Sequence, residues 1–313
     1  MSFTVISAFS GCGGSSLGYQ MAGGKVRLAV ENDSNAVAIY KANFPGTPIH
    51  HGDIFKLPVD ECLEKAGIES GELDIFDGSP PCQGFSTAGR RKFGDDRNQL
   101  FREYIRLLKG ICPRVLVMEN VSGMVKGKMK LIFAECLREL KAAGYKVRAR
   151  LINTKYYGVP QSRQRLIFIG VRNDIKKDPT YPVCCTRPIS AGSALHGIQD
   201  QGFDLTPEAA KWWPRMKPGE SASKYHPKGH LFGLIKIHPG RPSPTLLRSG
   251  GASRLAHWNQ PRFIGNKERA RLASFPDEFV WIGTDVNVYD RIGNSVPPLF
   301  MKAIAEHIRD AIL

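Results

Sequence analysis

Residues 77–86 read Asp-Gly-Ser-Pro-Pro-Cys-Gln-Gly-Phe-Ser, and the chemistry of the chain centres on Cys82. Two prolines fix the backbone just before it. The turn is polar, and Arg90, Arg91 and Lys92 follow closely, a field that favours thiolate over thiol. A lone cysteine is usually a small buried hydrophobe. A place just past a β-rich run (residues 73–76), with cations nearby, points instead to a nucleophile. A second β-rich run, 114–118, leads into Glu119-Asn120-Val121 and sets a carboxylic acid at the neighbouring strand end. A thiolate that attacks and an acid that protonates form a catalytic pair.

A binding crevice is written beside this pair. Phe9-Ser10-Gly11-Cys12-Gly13-Gly14 is a glycine-rich turn between a strand and a helix, where backbone N–H groups approach a ligand. Ser16 stands where the dinucleotide fingerprint has its third glycine. Glu31 closes the second strand and suits ribose hydroxyls. Gly52-Asp53-Ile54 adds a carboxylate and an apolar contact at the end of a third. A tight turn without a ligand and a surface glutamate are the plain alternatives. Together the three segments describe a nucleoside site at the carboxyl ends of parallel strands.

The elements that must hold these residues are legible as alternating short runs. Strands are predicted over 4–9, 26–30, 73–76, 114–118, 146–152 and 165–171, with helices over 34–43, 99–111 and 130–143. That alternation is the signature of βαβ units. The fold class is α/β: a Rossmann-like sheet, mainly parallel, with helices on both faces, plus a smaller irregular domain. Residues 1–171 form the first domain. Residues 172–260, rich in Pro, Gly, Ser, His and Trp, form the second. Residues 261–313 return to the first, where Ile304, Ile308 and Ile312 give the final helix an apolar face after Pro297-Pro298.

Charge narrows the partner. Lys and Arg number 44 against 29 Asp and Glu, a net +15. Residues 171–260 alone carry +7, and residues 261–313 carry none. A polyanion, nucleic acid first, is expected. Seven cysteines, none spaced Cys-x-x-Cys, argue against a disulfide framework or zinc site and for a reducing cytosol. No signal peptide or membrane-spanning run is present, so a cytoplasmic location and no membrane partner are expected.

In this order the motifs resemble those of the DNA (cytosine-5)-methyltransferases of bacteria and viruses. The likeness rests on residues 9–14, Glu31, Asp53, Pro80-Pro81-Cys82-Gln83 and Glu119-Asn120-Val121. It continues through Gln161-Ser162-Arg163-Gln164-Arg165, Arg241-Pro242-Ser243-Pro244-Thr245 and Gly293-Asn294-Ser295-Val296-Pro297-Pro298. It spans the chain from end to end.

The resemblance implies S-adenosylmethionine as cofactor and duplex DNA as substrate, with no metal. It assigns Cys82 to attack cytosine C6, Glu119 to donate to N3, and Arg163 and Arg165 to hold the flipped base or its phosphates. For Arg163 a plain surface cation weighs equally. Gly84 to Asn98 would be a loop closing over DNA, with Gln83, Ser86, Arg90, Arg91, Lys92 and Arg97 as DNA contacts. The cofactor would meet Phe9, Gly11, Gly13, Gly14, Glu31, Asp53, Ile54, Leu100, Asn294 and Ser295. Of these, Phe9 reads equally as core and Leu100 as a plain helix residue. Residues 172 to about 240 would read the DNA sequence. His226, His230, Trp212, Trp213 and Lys224 are candidates there, although paired tryptophans are more naturally core. A monomer is expected, possible cognate restriction endonucleases acting separately. Three other readings compete: a transfer-RNA methylase, whose Cys-Phe-Thr signature is missing, an inactive DNA-binding relative, and a small-molecule methyltransferase.

Overall fold

The computed structural model describes residues 2–81, 97–184, 186–249 and 254–313. The chain divides into two compact units. The first comprises Met1–Ile152, Gln164–Val183 and Met301–Leu313, and the second Asn153–Arg163 and Cys184–Phe300.

The first unit is built on a seven-stranded sheet. Its strands are β1 (Phe3–Ala8), β2 (Gly24–Glu31), β3 (Ile49–His51), β4 (Ile75–Gly78), β5 (Val115–Val121), β6 (Tyr145–Asn153) and β7 (Gln164–Arg172). Their order is β3-β2-β1-β4-β5-β7-β6. The pairs from β3 to β5 are parallel, whereas β5 and β7 run antiparallel. Central strands are buried along almost their whole length, which explains their unbroken apolar runs. Helices α1 (Gly14–Met21), α2 (Ser34–Asn43), α3 (Val59–Ala66), α4 (Arg97–Ile111) and α5 (Lys130–Ala142) connect them. Asp33 caps α2, its Oδ1 accepting from the N–H groups of Asn35 and Ala36 at 2.9 and 3.0 Å.

The six predicted strands and three predicted helices all form, with shifted ends. The largest shift matters most: β5 continues past Met118 to Val121, so Glu119 and Asn120 lie within a strand rather than after it. Antiparallel pairing with β7, up to Val121 opposite Arg165, supports that extension. Helix α1 forms where the glycine turn leads into it, whereas α3, only eight residues long, carried no clear signal.

The second unit is built from strands of two or three residues and helices of four to ten. A four-stranded sheet runs β8 (Phe203–Asp204), β11 (Arg262–Phe263), β10 (Arg254–Ala256), β9 (Leu234–Lys236). Around it stand α6 (Ala191–Ala194), α7 (Pro207–Trp212), α8 (Asn266–Leu272) and α9 (Asp285–Asn294). Its core gathers Trp212, Met216, Leu234 and Phe263. Lys236 is buried within this unit. Its Nζ donates to the carbonyls of Trp213 and Met216 at 3.1 and 3.0 Å and lies 3.6 Å from the Trp213 ring centre. A charge this far from water is held by oxygen acceptors and an aromatic face.

Compared with the expected boundaries, residues 153–163 fall with the second unit, as do residues 261–300. Helix α10 (Pro298–Ala311) carries the chain back. From Met301 on it belongs to the first unit, with Ile304, Ile308 and Ile312 buried. Arg309 Nη1 donates to the Ala22 carbonyl at 2.7 Å, and Arg114 Nη2 to that of Leu313 at 3.1 Å.

Inside the sheet sits an unexpected carboxyl. Asp77 on β4 is fully buried, accepting from Ser7 Oγ at 3.0 Å and Tyr19 Oη at 3.2 Å. Burial pushes its pKa up to about 7; those two hydrogen bonds oppose the rise and the charge of Glu119 adds to it. A raised carboxyl pKa means that the folded protein holds a proton the unfolded chain releases. This contribution is therefore intact at low pH and is lost as pH climbs from about 4 to 7. The decline should total at most on the order of 4 kcal/mol. Denaturant melts between pH 4.5 and 8 should show it in the native protein and a flatter profile in Asp77→Asn.

Candidate active site

The carboxyl ends of β1, β2 and β3 form one rim of the first unit. After β1 the chain turns sharply, with Phe9 and Gly11 at φ 54° and 55° and Gly13 at 98°. Gly13 N–H closes the turn on the Ser10 carbonyl at 3.0 Å, and Gly14 opens α1. The two turn glycines serve different ends. A Cβ on Gly13 would come within 2.2 Å of the Phe44 ring, whereas one on Gly11 would meet nothing within 4 Å. The turn is packed behind and open in front.

Glu31 fastens this turn to β2. Its Oε2 accepts the Gly11 N–H at 2.8 Å, and its Oε1 accepts those of Asn32 and Asp33, both at 2.9 Å. Asp53 caps a 3₁₀ turn, Ile54–Lys56, its Oδ1 accepting from Phe55 N–H at 3.1 Å. Ile54 is buried, and its carbonyl takes a 3.1 Å bond from Arg106 Nη2. Phe9 and Leu100 are half-buried against the core of this unit. The open side of Gly11 and two carboxylates on adjoining loops suit a nucleoside with ribose hydroxyls and a positive centre. Asn294 and Ser295 belong to the second unit, at the end of α9; Asn294 is exposed, and Ser295 Oγ donates to the Arg291 carbonyl at 2.6 Å.

Two strands along, Glu119 and Arg165 form an ion pair, Nε to Oε1 at 2.6 Å, with side chains only 11 % and 12 % exposed. The sheet dictates this meeting. Glu119 lies opposite Ile167, and Arg165 two residues away on the same face of β7, a diagonal within reach of long side chains. Asn120 Nδ2 donates to the Pro80 carbonyl at 3.3 Å, tethering the turn after β4 to β5. Asn120 was quoted with Glu119 in the sequence but given no role there. Cys82 follows Pro81 directly but lies outside the described residues, as do Gln83, Ser86, Arg90, Arg91 and Lys92. Arg97 is described only as the first residue of α4.

Arg163 corrects an expectation. It is 2 % exposed, and its Nη1 and Nη2 donate to the carbonyls of Leu246 and Gly293, both at 2.8 Å. The guanidinium is not a surface cation: it ties two stretches of main chain together. Its neighbour Gln161 is also buried, accepting from Leu246 N–H at 3.1 Å and donating to the Leu272 carbonyl at 3.3 Å. The segments around 161–163, 243–246 and 293 are thereby laced together within the second unit.

A profile of the C-5 cytosine-specific DNA methylases matches residues 3–201 and 217–310. The chain belongs to that family. The type II methyltransferase M1.HphI of Haemophilus parahaemolyticus is 33 % identical, over 98 % of this chain and 87 % of its own. M.XorII of Xanthomonas oryzae pv. oryzae is 32 % identical, over 98 % and 84 %. A candidate DNA modification methyltransferase encoded within an E. coli prophage superposes with a TM-score of 0.83 at 25 % identity, covering 99 % of each chain. This methylase is thus a cytosine-5 methyltransferase with the Rossmann-like sheet expected of it, and its methyl donor is S-adenosylmethionine.

Two substitutions test the site and the framework of this methylase. Glu119→Gln should lower methyl transfer by about a hundredfold to ten-thousandfold, the usual weight of a general acid, and should also lower the melting temperature, because Arg165 is left a buried charge without its partner. Arg163→Ala should cost about 2–4 kcal/mol in a denaturant melt because buried carbonyls lose their donors.

Proposed function

We propose that the protein methylates C5 of a flipped cytosine within a short duplex DNA sequence through a covalent bond between Cys82 and C6. The buried Glu119–Arg165 pair beside the tethered Pro80 turn carries this reading. Cytosine C5 is a weak nucleophile. Addition of the Cys82 thiolate to C6 turns C5 into an enamine carbon, and Glu119 supports that addition by donating a proton to N3. Arg165 fixes the Glu119 carboxyl at the depth where the base must sit. S-adenosylmethionine supplies the methyl group. Loss of the C5 proton and expulsion of Cys82 then release the product.

C6 is out of reach inside a duplex, so the base must leave the stack. Of the expected recognition stretch 172–260, residues 184–260 lie in the basic second unit, which reads the sequence and holds the DNA. The loop cations Arg90, Arg91, Lys92 and Arg97 meet phosphates, with Gln83 and Ser86 nearer the base. Phe9, Gly11, Gly13, Gly14, Glu31, Asp53, Ile54 and Leu100 bind the donor, with Asn294 and Ser295 completing its methionine end. The enzyme works as a monomer in the cytoplasm, as part of a restriction–modification system alongside a separate endonuclease. Among the described residues no helix is long and apolar enough to cross a membrane.

Bisulfite sequencing of DNA from cells that express the protein should reveal methylcytosine in one sequence context. Purified protein should also form a denaturant-resistant adduct on DNA carrying 5-fluorocytosine at that position, because fluorine cannot leave C5 as a proton does. Cys82→Ala should form no adduct. Methylation of transfer RNA but of no duplex DNA would refute the reading.

A further inference from the structure

The loop before β9 combines features that a folded protein normally avoids. Leu231 adopts a left-handed backbone, φ 67°, without being glycine. Its side chain turns inward against the core of Trp212, Met216 and Leu234. The next residue, Phe232, turns outward and is 73 % exposed. Backbone strain kept in one residue while the larger aromatic stands in water marks a segment shaped for something other than stability.

The loop is also firmly built. Ser221 Oγ reaches the carbonyls of Leu231 and Phe232 at 3.3 and 3.0 Å, and Leu234 N–H bonds the Leu231 carbonyl at 3.0 Å. On the other side, Arg254 N–H donates to the Gly233 carbonyl at 2.7 Å. The rings of His226 and His230 stack at 5.1 Å, and His226 packs on Trp212 at 5.6 Å. Phe232 is therefore an exposed aromatic on a braced support.

The stretch of chain that leads to it is rich in cations. Lys211 and Arg215 lie over the Trp212 ring, and Lys217 and Lys228 are exposed. The acidic groups of the same stretch are engaged: Glu220 with Lys224 and Tyr225, and Glu208 with Trp212 Nε1 at 2.6 Å. Among the described residues, Phe232 is the one large exposed apolar side chain between Ile189 and Val280. A single ring is too small for a protein-docking patch. An exposed ring on a basic stretch of chain suits stacked bases flanked by phosphates.

We propose that Phe232 is a wedge that inserts between stacked bases of the recognition sequence and so lowers the cost of swinging the target cytosine out. This rests on the reading of the second unit as the DNA-binding part. The test compares Phe232→Ala and Phe232→Trp with the native protein on two duplexes. Both carry the recognition sequence found by bisulfite sequencing; in one the target is paired, in the other it faces an abasic site and is already loosened. Phe232→Ala should lose at least tenfold in kcat/KM on the paired duplex and less than threefold on the loosened one. Phe232→Trp should stay within a few fold of native on both. Melting temperatures should not change, since the side chain stands in water. Native-like activity of Phe232→Ala on paired DNA, or an equal loss on both duplexes, would overturn the wedge. Failure of the native protein to methylate either duplex would instead overturn the DNA reading itself, and the wedge with it.

Discussion

The site depends on two opposite charges placed where water scarcely reaches. Glu119 and Arg165 sit 2.6 Å apart at the rim of the sheet. Either one alone would be costly there, because a buried charge that loses its partner keeps its desolvation penalty. The pair exists only because β7 runs antiparallel to β5 and sets Arg165 diagonally across from Glu119. A parallel strand at that place would need a crossover and a different register. The reversal of one strand thus couples the sheet topology to the placing of the Glu119 carboxylate.

The donor crevice obeys a similar logic with backbone in place of a cation. Glu31 collects three N–H groups from two successive segments, so the first glycine turn and the end of β2 are fixed relative to each other. Gly13 is needed because Phe44 fills the space behind the turn, and Gly11 because the turn bends left-handed with its front open. The second unit uses buried cations as its staples: Arg163 on the carbonyls of Leu246 and Gly293, and Lys236 on those of Trp213 and Met216. A unit made of strands of two or three residues has few ladder bonds, and these side chains satisfy carbonyls that a longer ladder would have paired.

The strands of the first unit were legible because parallel strands buried on both faces read as continuous apolar runs. The motif residues were legible because they cluster where those runs stop. Arg163 was misread for a physical reason. Gln161-Ser162-Arg163-Gln164-Arg165 makes Arg165 the stronger candidate and leaves Arg163 between a site residue and a surface cation, and what decides its place is a pair of carbonyls 83 and 130 residues further along the chain. No local pattern carries that information. Asp77 and Lys236 were silent for the same reason, since a charged residue in a strand is ordinarily assigned to solvent. The pairing of Trp212 with a core, by contrast, followed from the size of the indole, and the ring is 3 % exposed.

The chain leaves the first unit twice and re-enters it twice, the second time only at Met301. Ile304, Ile308 and Ile312 then fill space in a unit whose first strand begins at Phe3. A polypeptide emerging from the ribosome must therefore keep that apolar hollow uncovered until residues 301–313 have been synthesised. Truncated products end without their closing helix, so premature termination yields an incomplete core rather than a half-length enzyme.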